Sequence, residues 1–119
     1  MQPIPTLTPK YTKEQLRSPP PLLDMNAALD KTDFKYVYRP DDDSYLFIDT
    51  LYAEIDTIIA KSPTFILEIG TGSGFLINNL SSYLKLKNYK DFVAFGSDIN
   101  IDACLATKKF SKTFDNDVQ

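Results

Sequence analysis

From Asp42 onward, helical and extended hydrophobic spacings alternate along the chain. Apolar residues at 45, 48, 52, 55 and 59, with a second row at 47, 51 and 58, repeat at the period of one helix face. This predicts a helix over about 42–61. Pro40 closes an extended segment from Tyr36, and Asp41, Asp42, Asp43 and Ser44 stand where the helix starts. Such side chains satisfy free backbone N–H groups and suit the positive end of the dipole. Ser62-Pro63 ends the helix, because the residue before a proline is driven out of the α region. Thr64–Ile69 is a short apolar run with β-branched and aromatic residues, which reads as a strand buried on both faces. A glycine-rich turn follows over 70–74. Apolar positions 76, 77, 80, 83, 84 and 86 predict a second helix over 75–86. A polar loop over 87–91 leads to a second strand, Phe92–Gly96, which runs into Ser97-Asp98. A third helix is predicted over 101–114, with Ile101, Leu105 and Phe110 apolar and Asn100 or Asp98 as its cap.

A strand, a helix and a strand joined at this length imply a parallel pair with a right-handed crossover. The expected fold class is therefore α/β, with an incomplete parallel sheet. Two strands alone leave edges open and a core half built, so further strands are expected after Gln119. Residues 1–34 contrast with this. They hold six of the eight prolines, including Pro19-Pro20-Pro21, and no sustained apolar period. This reads as a flexible Pro-rich arm, with a helical turn conceivable around Lys13–Leu16. The folded part is placed over 35–119.

Composition removes several chemistries. The chain has no His, so a Ser-His-Asp triad and His-ligated metal are excluded within it. Cys104 is the one cysteine, which excludes an internal disulfide or a zinc knuckle and suits a reducing compartment. A net charge of −3 argues against direct nucleic-acid binding. Apolar runs are short, as in Phe65-Ile66-Leu67, far below the roughly 18 residues of a membrane span. The first ten residues lack the apolar centre of a secretory signal. The expected location is the cytoplasm, or also the nucleus.

The sharpest motif is Leu67-Glu68-Ile69-Gly70-Thr71-Gly72-Ser73-Gly74, placed between a strand and a helix. Its glycines permit a tight turn and close approach of a ligand, next to the free N–H groups of a helix start. The spacing is G-x-G-x-G, whereas a dinucleotide fingerprint needs G-x-G-x-x-G and a phosphate loop needs Gly-Lys-Ser/Thr. Glu68 beside the turn would repel a phosphate but not a cationic amino-acid group. Asp98, 24 residues after Gly74 at the tip of the second strand, is placed to accept hydrogen bonds from both hydroxyls of a ribose. Ile99 is expected beside an adenine ring. Taken alone, the turn is common in α/β proteins and Asp98 is as readily a helix cap. Their spacing together with Glu68 favours a nucleoside ligand with a cationic tail.

These segments, Leu67–Gly74 and Gly96–Ala103, resemble the cofactor core of class I S-adenosylmethionine-dependent methyltransferases. Upstream, Val37-Tyr38-Arg39-Pro40-Asp41-Asp42-Asp43-Ser44 and the helix after it resemble a stretch of the eukaryotic and archaeal release-factor glutamine methyltransferases, the HemK-like group. The resemblance runs from about Val37 to Thr107. It implies a Rossmann-like fold and S-adenosyl-L-methionine as cofactor, with Ser44, Glu68, Gly70, Thr71, Gly72, Gly74, Asp98 and Ile99 around it. Ser44 would meet the amino-acid end, Glu68 and Gly70 the methionine part, and Asp98 the ribose. Tyr38, Pro40 and Asp43 would shape the wall above. The implied substrate is the Gly-Gly-Gln loop of a translation release factor, and the implied partner is a small zinc-binding activator subunit. Arg39, Asp41 and Ile101 depart from the family pattern. The family's Asn-Pro-Pro-Tyr tetrapeptide, which holds the glutamine amide for in-line attack, does not occur in these 119 residues. No catalytic residue is therefore assigned. The same cofactor half also suits a methyltransferase of nucleic acid or protein lysine, or a truncated paralogue serving only as a binding module.

Overall fold

Two strands, β1 (Phe65–Ile69) and β2 (Val93–Ser97), lie parallel, with Phe65 opposite Val93 and Ile69 opposite Ser97. They belong to a computed structural model that describes residues 20–119. Before β1 come a short helix α1 (Met25–Ala28), a 3-10 turn (Asp33–Lys35), α2 (Asp42–Ala53) and α3 (Ile55–Ala60). The strands are joined through α4 (Phe75–Leu86), and α5 (Ile101–Thr113) follows β2. Parallel pairing through a crossover helix is the arrangement the spacing predicts. Beyond α5 the chain returns to the sheet. Val118 forms a parallel bridge with Ala94, and the Gln119 N–H donates to the Ala94 carbonyl at 2.9 Å. β2 is thus flanked on both sides, and β1 is the edge strand among the described residues.

Strand alternation separates two faces. Ile66 and Ala94 point to the helices, where Ile77, Leu80, Leu84 and Ile55 bury them. Phe65, Leu67, Ile69 and Val93 point the other way and are exposed. The strand expected to be buried on both faces is therefore covered on one only, because the helices that pack on the sheet lie on one side. On the open face Phe65 and Phe95 shield each other by stacking, with ring centroids 4.7 Å apart.

The single helix expected over 42–61 is two. Glu54, at φ −94° and ψ 6°, separates α2 from α3. The bend turns Ile55, with Ile58 and Ile59, into the cluster around Leu80 and Leu84, while α2 sets Ile48 and Tyr52 against Phe75. The start of α2 is as expected: the Asp41 carboxylate accepts from the Asp42 N–H at 2.8 Å, and Asp41 and Ser44 complete a capping box.

The described part of the segment expected as a flexible arm over 1–34 is packed. The Leu23 N–H donates to Asn79 Oδ1 at 2.9 Å. Asp24 caps α1, and Ala28, Leu29 and Val37 are buried with Ala103, Ala106 and Phe110 of α5. A helix of four residues is too short to display a 3.6-residue period, which hid it from pattern reading. The turn considered at Lys13–Leu16 lies outside the described residues.

Among the described residues, most buried polar side chains inside the helical layer are matched, the Ser81 hydroxyl being left without a partner. Asn78 and Asn79, both fully buried, donate back to the carbonyls of Gly74 and Phe75 at 2.9 and 2.8 Å. Asn116 donates to Asn78 and Ser82 and accepts from the Lys85 ammonium at 2.9 Å. Its carbonyl accepts from the Ser111 hydroxyl. This fixes the turn that brings Val118 to β2.

Phe110 is fully buried where α5 meets the amino-terminal segment. Phe110→Ala is expected to lower stability by about 3–5 kcal/mol, measured by urea denaturation of the full chain. Leu105→Ala, on the exposed face of the same helix, is expected to change it by less than about 0.5 kcal/mol.

Candidate functional site

Because β1 and β2 end level, the loops that leave them meet. The Ser97 carbonyl accepts from the N–H groups of both Gly70 and Thr71, at 2.7 and 3.0 Å. This anchors the start of the glycine turn on the tip of β2. Gly72 and Gly74 have φ values of +55° and +86°, a region that L side chains rarely adopt. They are glycines for different reasons. A Cβ at Gly72 would meet nothing within 4 Å, whereas one at Gly74 would sit 2.9 Å from Thr107 Cα. Gly72 serves the turn, and Gly74 serves the close approach of α4 to α5.

The turn is clamped from below as well. The Thr107 hydroxyl donates to the Gly72 carbonyl at 3.1 Å. The Gly72 N–H donates to Asp98 Oδ2 at 3.0 Å, and Asp98 Oδ1 accepts from the Asn100 N–H at 2.9 Å. An ionised carboxylate offers about four lone-pair directions, so two of those on Asp98 remain available.

Alternation along β1 turns Glu68 toward the helices, beneath the turn. Its Oε1 accepts from the Thr71 hydroxyl at 3.0 Å. Burial pushes the Glu68 carboxyl up to about 7, against the lowering effect of the Thr71 hydroxyl and the Ile77 backbone N–H, while the charge of Asp98 adds to the rise.

Above these groups lies a cleft of about 420 Å³, within the range of small-molecule sites, roughly 300–1,000 Å³. Glu68 and Asp98 both open onto it, with Gly70, Thr71, Gly72 and Ser73 from the turn. Phe75, Leu76 and Ala103 supply apolar surface, and residues 36–40 form the opposite wall with Ser44 at the rim. Polar groups at one end and apolar lining between them fit a ligand that is part apolar ring and part charged or hydroxylated.

Most of the predicted site residues are brought together here. Ser44, Glu68, Gly70, Thr71, Gly72 and Asp98 line one cleft. The Thr71 side chain is buried, however, and is taken up by Glu68 and Thr107. Ser44 also carries a structural duty, since its hydroxyl accepts from the Asp41 N–H at 3.3 Å. Two of the predicted residues lie outside the cleft. Gly74 is packed under the turn against Thr107 and Asn78 and does not line the cleft. Ile99 is fully exposed and does not line it either. Tyr38 and Pro40 line the cleft, whereas Asp43 does not. Asn100 had been read only as a cap, and its side chain reaches further, to the Tyr36 carbonyl at 2.8 Å. Among the described residues no group of His, Cys, Asp and Glu is placed to hold a metal ion, and no helix is long and apolar enough to cross a membrane.

No protein-family model and no curated protein matches the chain in sequence comparison. The chemistry of the cleft therefore rests on its own residues.

Glu68 has a consequence for stability that needs no ligand. Its folded-state value of about 7 lies above the ordinary glutamate value of 4.5, so between them the folded protein holds more protons than the unfolded one. Stability from this group is present below the lower value and is lost as pH rises through the upper one. The melting temperature of the wild type is expected to fall between pH 5 and pH 8 more steeply than that of Glu68→Gln, whose amide keeps an acceptor for Thr71. Parallel melting curves across that range would show that no such proton is bound.

Proposed function

We propose that this chain is the S-adenosylmethionine-binding part of a Rossmann-like class I methyltransferase, of the release-factor glutamine methyltransferase group. One observation carries the proposal: Glu68 and Asp98 line a single cleft, each accepting a hydrogen bond from the same G-x-G-x-G turn. One carboxylate suits an ammonium group and the other suits a pair of hydroxyls, and this ligand carries both. Strand order adds support. β1 and β2 are parallel and joined through a helix, and Val118 bridges β2 on the side away from β1, an arrangement compatible with the start of a doubly wound sheet. In such sheets ligands sit beyond the carboxyl ends of the strands, where this cleft lies.

The residues fit the cofactor by their chemistry. The two free lone-pair directions of Asp98 match the ribose hydroxyls. Its other two are held by Gly72 and Asn100, so the carboxylate is already oriented before binding. Val37, Phe75, Leu76 and Ala103 offer apolar surface to the adenine ring. Glu68, with the backbone of Gly70, takes the amino-acid end, and Ser44 stands at the rim. When bound, the cofactor supplies a methyl group already activated on a sulfonium. What this chain's residues contribute is orientation and exclusion of water.

The acceptor is assigned through the resemblance of Val37–Ser44 and the helix after it: the glutamine of the Gly-Gly-Gln loop of a release factor, in the cytoplasm or also the nucleus. A small zinc-binding activator subunit is the proposed partner. The clamp for the glutamine amide is not assigned to any residue of this sequence.

Calorimetry with S-adenosylhomocysteine tests the cofactor assignment. Asp98→Ala and Glu68→Ala are each expected to weaken binding about tenfold or more, since hydrogen bonds to charged groups contribute roughly 1.5–3 kcal/mol. Ser44→Ala removes a neutral bond and is expected to cost less, about 0.5–1.5 kcal/mol. Unchanged affinity in both carboxylate variants would falsify the assignment.

The same titration carries a pH signature. An ammonium group needs Glu68 ionised, and its carboxyl stands at about 7 without ligand. Affinity is therefore expected to rise as pH goes from 6 to 7.5, and Glu68→Gln is expected to lose that rise.

A further inference from the structure

The wall of the cleft over 36–40 belongs to no helix or strand, yet it must keep a fixed distance from Asp98 for the cleft to hold its shape. Three contacts hold it. Val37 is buried among Ala28, Leu29, Ala103 and Phe110. The Arg39 guanidinium lies 3.9 Å above the Phe34 ring. The Tyr36 carbonyl accepts from Asn100 Nδ2 at 2.8 Å. The first two tie the wall to the helical layer and to its own segment. Among the described residues, the third is the one that ties it to the tip of β2.

Asn100 is a junction of three elements. Its backbone N–H donates to Asp98 Oδ1 at 2.9 Å, its Oδ1 caps α5 by accepting from the Asp102 N–H at 3.0 Å, and its Nδ2 holds the wall. The amide is the group that can do this. Capping needs an acceptor and a backbone carbonyl needs a donor, and one short side chain supplies both. Ser, Thr and Asp cap equally well but do not offer this pair of groups at this reach.

We propose that Asn100 is a positioning residue that locks the 36–40 wall to Asp98 and so sets the width of the nucleoside end of the cleft. This rests on the cofactor assignment above. The wall is open to solvent on its other side, with Tyr38 almost fully exposed. Without the Asn100 bond, Val37 still anchors it, but its backbone is free to swing outward from the strand tip. The nearby Lys109 ammonium, 2.8 Å from Asp33 Oδ2, braces the preceding turn on the surface and does not touch the wall. Exposed pairs of that kind contribute little.

Asn100→Ser and Asn100→Thr separate the two duties, because each keeps a capping hydroxyl and neither reaches the Tyr36 carbonyl. Both are expected to melt within a few degrees of the wild type and to bind S-adenosylhomocysteine about three- to tenfold more weakly. Lys109→Ala is expected to stay within about twofold. Amide hydrogen exchange supplies a readout that a purely structural role does not move. In the wild type, bound S-adenosylhomocysteine is expected to protect both the 36–40 and the 70–74 amides. In the Asn100 variants protection is expected to persist at 70–74 and to be lost at 36–40. Wild-type affinity and protection in both variants overturn the inference, as does equal loss of protection in the two segments. If the wild-type chain takes up no S-adenosylhomocysteine at all, the cofactor assignment itself fails and this inference with it.

Discussion

The hydrogen bond from the Gly72 N–H to the Asp98 carboxylate, 3.0 Å long, joins the two strand tips on which the site is built. Level strand ends allow it, since Ile69 pairs with Ser97 and the next residues of each loop fall side by side. Positive φ at Gly72 turns its N–H toward the carboxylate instead of into a helix. Once that bond forms, the turn, the start of α4 and the tip of β2 become one rigid corner. Asp98 is then both a structural acceptor and a charge pointing outward. A side chain oriented in this way loses little rotamer freedom on binding a ligand, which is the physical meaning of a preorganised site.

Glu68 shows what that corner demands of its neighbours. A carboxylate half-buried under a glycine turn is raised to about 7, and an apolar residue there would avoid the cost of desolvating a charge. Two hydrogen-bond donors, the Thr71 hydroxyl and the Ile77 N–H, offset part of that cost. The remainder is what a cation entering the cleft would relieve. Strongly shifted groups in clefts mark sites where charge is used. In this protein the second carboxylate that raises Glu68 is also the one that closes the corner.

Much of this was legible in the residues. Helix and strand order followed from spacing, and Glu68, Gly70, Gly72 and Asp98 from their offsets around one strand–turn–helix unit, because local geometry alone brings them together. What spacing did not reveal is tertiary. The break at Glu54 exists because Ile55 and Leu80 share a cluster. The packed segment after Leu23 exists because Asn79, 56 residues away, accepts its N–H. Gly74 looked like a ligand contact because its conformation matches that of its neighbours, but the reason for its missing side chain is Thr107 across the helix pair. Asn100 was legible as a cap from its position, but its bond to Tyr36 spans 64 residues and leaves no local trace.

The open face of the sheet contrasts with the cleft. Among the described residues Phe65, Leu67, Ile69 and Val93 stay exposed and nothing pairs with the outer edge of β1, features that proteins usually cover. The cleft does not depend on that face. Every bond that shapes it, from Ser97, Asp98, Asn100, Thr107 and Thr71, lies at the strand tips or on the helical side. The corner closes on itself and leaves the open face of the sheet free. Under the proposed function, a nucleoside pocket oriented in this way is physically independent of the surface that would meet an acceptor.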